Sequence, residues 1–98
     1  MDSNFKIVTR QSNGNIYIDL IGEFNGFSAI ELIDVLKANS KKTKNFIINT
    51  NGLFLIHPLA LDVFRKEFPL NDASFQDLLF IGKHGNRMEP KTKESFWY

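Results

Sequence analysis

Phe5, Ile7 and Thr9 alternate with Lys6, Val8 and Arg10, and Ile16, Ile18 and Leu20 alternate with Tyr17, Asp19 and Ile21. This period of two is that of half-buried strands. Asn13-Gly14 between them tolerates positive φ at both central positions of a type I′ turn, so the two strands are expected to form an antiparallel hairpin. From Phe27 the period changes. Ala29, Leu32, Ile33 and Leu36 recur at helical spacing while Glu31, Asp34 and Lys37 take the other side, which predicts an amphipathic helix. Ser28 and Glu31 have capping-box spacing at its start. Asn39, Ser40 and the lysines 41, 42 and 44 end it in a polar, solvated turn.

Phe46-Ile47-Ile48, flanked by Asn45 and Asn49, is a continuous apolar run that suits a central strand from Lys44 to Thr50, covered on both faces. Asn51-Gly52 and Leu53-Phe54-Leu55-Ile56 follow, then His57-Pro58. Proline is favoured as the first residue of a helix because its missing N–H would be unpaired there anyway, so a second helix is expected from Pro58. Ala60, Leu61, Phe64 and Phe68 share its inner face, Asp62, Arg65 and Lys66 the outer one, and Pro69 ends it. Leu59 and Val63 fall on the outer flank. Leu78-Leu79-Phe80-Ile81 is a further apolar strand that stops at Gly82. The order is β-β-α-β-α-β, an α/β fold whose crossovers build a mixed four-stranded sheet with helices packed on it. The segment 84–98, closing in Phe96-Trp97-Tyr98, is either a short element docked on the sheet or a mobile end.

The chain has 98 residues and a formal charge of +1, which supports one domain, 1–98, with its core over about 5–83. So balanced a charge gives no field to recruit a nucleic-acid backbone, and no apolar run approaches the ~20 residues that span a bilayer. Cysteine is absent, which removes disulfides and thiol chemistry, and the first residues lack the pattern of a signal peptide, so the cytoplasm is the expected compartment.

The residues offer little catalytic chemistry. His57 and His84 stand apart from any ligand-spaced cluster, so no metal site is expected. No serine lies in a nucleophile elbow, and no glycine pattern encodes a phosphate-binding loop. His57 precedes a helix and lies near Asp62, yet no nucleophile accompanies it as it would a general base. No catalytic residue and no cofactor are assigned.

Two segments together carry a resemblance. Ile18-Asp19-Leu20-Ile21-Gly22-Glu23-Phe24-Asn25, with the helix after it, resembles the G-x-L-D segment of STAS domains, the family of anti-sigma-factor antagonists and sulfate-transporter tails. Phe46 to Leu61 is similar, without a gap, to that family's apolar strand followed by D-L-S-G-V-x-x-I and D-S-S-G-L. The resemblance covers residues 5 to about 83 and implies a STAS-like fold and a cytoplasmic bacterial regulator. Family members of the sigma-regulating type are phosphorylated by a partner kinase on a hydroxyl at the start of the second helix, assisted by aspartates. Here Pro58 and Leu59 occupy the hydroxyl positions, His57 and Asn49 replace aspartates, Ala60 replaces a glycine, and Asn25 replaces the aspartate after Gly22. The resemblance therefore implies a module that this switch cannot phosphorylate.

What remains is a surface. Asn25, Phe27, His57, Pro58, Leu59, Asp62, Val63 and Lys66 are the expected partner-binding residues, more apolar and less acidic than the family pattern. The partner is expected to be a protein, an anti-sigma-type kinase or related regulator, or a second copy of the chain. The other reading is a small-ligand or anion-binding protein that uses the N-terminus of the second helix near His57, Asn25 and Phe27.

Overall fold

The structure, a computed structural model of the chain, describes residues 4–42, 45–67 and 77–88. Strands β1 (Phe5–Ser12) and β2 (Asn15–Phe24) form the expected hairpin, with Asn13 at φ 52° and Gly14 at φ 82°, the left-handed pair that a type I′ turn requires. Helix α1 (Gly26–Asn39), strand β3 (Asn45–Ile56), helix α2 (Pro58–Glu67), strand β4 (Asp77–Ile81) and the single turn α3 (Gly85–Met88) follow. The sheet order is β1-β2-β3-β4, with β2, β3 and β4 parallel. Each parallel step runs in the same direction across the sheet, so right-handed crossovers put α1 and α2 side by side on one face.

Beneath those helices Ile16, Ile18, Leu20, Phe46, Ile48, Leu78 and Phe80 meet Ala29, Leu32, Ile33 and Leu36 of α1 and Ala60 and Phe64 of α2. Phe5 and Phe24 pack edge to face, as do Phe64 and Phe80, each with ring centroids 5.9 Å apart. Met88 is fully buried in the same cluster, so the core reaches past residue 83. Residues 89–98, Phe68 and Pro69 lie outside the described residues, as does Lys44.

Four expectations are corrected. The helix α1 is capped by Asn25, not Ser28: β2 stays extended to Phe24, Asn25 has φ −117° and ψ −171°, and helical geometry begins at Gly26. Asn25 Oδ1 accepts from the Ser28 N–H and the Ser28 hydroxyl accepts from the Asn25 N–H, each at 3.0 Å, which satisfies two otherwise unpaired donors. Glu31 is too far along the helix to take part. Strand β3 does not end at Thr50 but continues to Ile56, and Asn51-Gly52 is a bulge within it. Between the pairs Asp19↔Asn49 and Ile21↔Gly52, and again between Gly22↔Leu53 and Glu23↔Leu55, β3 spends one residue more than β2. Gly52 belongs there because a Cβ would stand 2.7 Å from the Leu20 carbonyl oxygen.

Val63 is not on an outer flank. It lies three residues after Ala60, at the border of the buried stripe, and packs half-buried against the core. Finally, β3 is central, but the described residues cover one of its faces only. Its other face, with Ile47 and Asn49, shares a surface with Tyr17, Asp19, Ile21, Leu79 and Ile81, all half-buried or exposed.

Candidate functional site

Both helices begin at one rim of the sheet because β2 and β3 end side by side. Their last ladder pairs are Glu23↔Leu55 and Phe24↔Ile56, and the His57 N–H donates to the Phe24 carbonyl at 3.0 Å. Asn25 and His57 therefore leave the sheet as neighbours. Phe27 is the second residue of α1 and Leu59 the second of α2, so two large apolar side chains stand at the same level on adjacent helices. Phe27 is 87% exposed and Leu59 65%.

A polar clamp that the sequence did not reveal joins the end of β2 to the residue before α2. His57 Nε2 donates to Glu23 Oε2 at 2.6 Å, with both side chains partly exposed. The clamp ties the end of β2 to the entrance of α2, and it sets a carboxylate beside that helix N-terminus.

The expected site residues are thus distributed unevenly. Phe27, Pro58, Leu59, Asp62 and Lys66 are exposed. Asn25 is half-buried and engaged as the helix cap, His57 is engaged by Glu23, and Val63 is turned toward the core. Ser28, a hydroxyl that the fold brings to this rim, is 2% exposed and donates to the Glu23 carbonyl at 2.9 Å. His84 is held elsewhere. Its N–H donates to Thr50 Oγ1 in the middle of β3, whereas His57 follows the end of that strand. Among the described residues no three His, Cys, Asp or Glu side chains gather where they could hold a metal ion, and no helix is long and apolar enough to cross a membrane.

Sequence reasoning missed Phe54 and Leu55. Regular alternation would hide one of two consecutive residues, but the second bulge in β3 resets the alternation, and both are exposed while Leu53 and Ile56 are buried. Phe54, 69% exposed, is the extra residue of that bulge. Gly52 was the available signal, since a glycine inside an apolar strand pattern marks a bulge as readily as a turn.

The fold expected from the STAS resemblance is the one observed. The chain is similar to the crystal structure of an anti-sigma factor antagonist from Mycobacterium paratuberculosis, with a TM-score of 0.60 and 12% sequence identity, covering 94% of this chain and 79% of that one. At that identity the likeness is one of fold. No family model matches the sequence, and no curated protein matches it.

Proposed function

We propose that the chain is a non-catalytic STAS-like interaction module that holds a protein partner, an anti-sigma-type kinase or related cytoplasmic regulator, at the rim where α1 and α2 begin. The observation that carries this reading is the pair Phe27 and Leu59, two large apolar side chains left in water at equivalent positions on neighbouring helices. Covering them would gain roughly 25 cal/mol per Å² of apolar area. Asp62 and Lys66, exposed further along α2, supply a polar border. Leucine at the family's hydroxyl position makes the contact constitutive, because nothing at that position can accept a phosphoryl group.

Two measurements test it. Incubation with an anti-sigma-type serine kinase and ATP is expected to place no phosphate between His57 and Asp62, and phosphate mapped to that segment would remove the non-switchable reading. Calorimetric titration with the same kinase is expected to detect a complex that Leu59→Glu weakens at least tenfold, since the interface would then bury an unpaired carboxylate. Affinity unchanged by Leu59→Glu and Phe27→Glu together would move the partner away from this rim.

A further inference from the structure

Exposed apolar residues also stand away from the starts of the helices. Of the nine large hydrophobic residues exposed among those described, Val8, Leu79, Ile81 and Ile21 belong to the uncovered face of the sheet, and Phe54 and Leu55 extend it at the end of β3. Parallel strands are ordinarily covered on both faces. Here β2, β3 and β4 are parallel, and the described residues cover only one.

The ladder register arranges this face in rows across the strands. One row reads Arg10, Tyr17, Ile47, Leu79, and the next reads Val8, Asp19, Asn49, Ile81. The second row is chemically symmetric about the line between β2 and β3: apolar, polar, polar, apolar. Its two central side chains are complementary, since Asn49 Nδ2 donates to Asp19 Oδ1 at 3.3 Å, and an amide keeps a second N–H to give.

We propose that this open face is a homodimer interface in which two copies stack sheet on sheet about a two-fold axis parallel to the strands. That axis reverses the strand order between copies, so Asp19 of each faces the partner's Asn49 and Val8 faces the partner's Ile81. Tyr17 meets the partner's Ile47, and Arg10, already stacked 5.0 Å over its own Tyr17 ring, lays its stem toward the partner's Leu79. The other in-plane two-fold axis, across the strands, pairs each strand with its own copy, and where it passes through this row it sets Asp19 against Asp19, which like-charge repulsion opposes. Four strands spaced ~4.8 Å apart and about eight residues long at ~3.3 Å each give a face of roughly 500 Å² in projection. Specific interfaces begin at ~600 Å² per partner, so a pair stacked on this face alone is a reversible one. A closed two-fold pair also leaves the helix rim of each copy free for the partner proposed above.

Sedimentation of the full chain over a wide concentration range is expected to show a reversible monomer–dimer equilibrium. Leu79→Lys should weaken it more than tenfold, with far-UV circular dichroism and the denaturation midpoint verifying that the variant folds, while Leu59→Glu should leave it unchanged. The latter result separates this interface from the rim. Because the chain has no cysteine, a Val8→Cys chain mixed with an Ile81→Cys chain reports the stacking directly. A short bis-maleimide should couple the two chains to each other and leave either chain alone mostly uncoupled. A monomer at every concentration overturns the proposal and leaves the face to another protein or to the chain's own residues 89–98. So does a dimer that Leu79→Lys leaves intact, or coupling of Val8→Cys chains among themselves as readily as to Ile81→Cys.

Discussion

In the apolar runs of β3 and β4 the two faces of the sheet differ in what covers them more than in what they are made of. Phe46 and Ile48 point beneath α1 and α2 and are fully buried, while Ile47 between them points the other way and is only half-buried. Leu78 and Phe80 are buried, and Leu79 between them is 51% exposed. An apolar residue in a strand is thus a statement about the strand's needs, and the crossovers decide which face is met by the chain's own helices. On the covered face apolar side chains stabilise the fold. On the face that the described residues leave open, the same chemistry stays at the surface.

Four measurements would break or sharpen this contrast. The largest effect belongs to the covered face: Phe64→Ala should cost about 3–5 kcal/mol in chemical denaturation, because it leaves a cavity beneath α2 and removes the edge contact with Phe80. Next comes the joint that holds a covering helix to the sheet. Asn25→Ala should cost about 1 kcal/mol by removing the capping box, with faster amide exchange confined first to the start of α1. Leu79→Ser on the open face and Leu59→Ser at the rim should each cost under about 1 kcal/mol when the chain is dilute enough to be monomeric. A loss at Leu59 equal to that of Phe64→Ala would place Leu59 in the core and refute the exposed rim. Smallest of all, Glu23→Gln should change stability by no more than about 0.5 kcal/mol, because the Glu23–His57 pair is partly exposed and screened by solvent.

Much of this architecture was legible beforehand, and the reasons are local. The hairpin follows from alternation and Asn13-Gly14, α1 from its 3.6-residue period, and the start of α2 from Pro58, since each depends on interactions within a few residues. The candidate site was legible in part. Phe27 and Leu59 could be placed because each follows a recognisable strand end and the helix period leaves them outside. Glu23 could not, because its meeting with His57 joins positions 34 residues apart that only the parallel pairing of β2 with β3 makes neighbours. The choice between Asn25 and Ser28 as cap was likewise invisible, since both are good capping residues and the decision rests on how far β2 stays extended.

By itself, then, the sequence determined the order of elements, the inner faces of both helices and the absence of a hydroxyl at Pro58 and Leu59, all consequences of residue chemistry and short-range periodicity. Only the tertiary structure decided three other matters. It put both helices on one face of the sheet and left Ile47, Leu79 and Ile81 at the surface, although their apolar runs suit burial on both sides. It turned Val63 inward and carried the core out to Met88. It also resolved Asn51-Gly52 into a bulge that exposes Phe54 and Leu55. Crossover handedness and ladder register are properties of paired strands, and the periodicity of a single strand does not contain them.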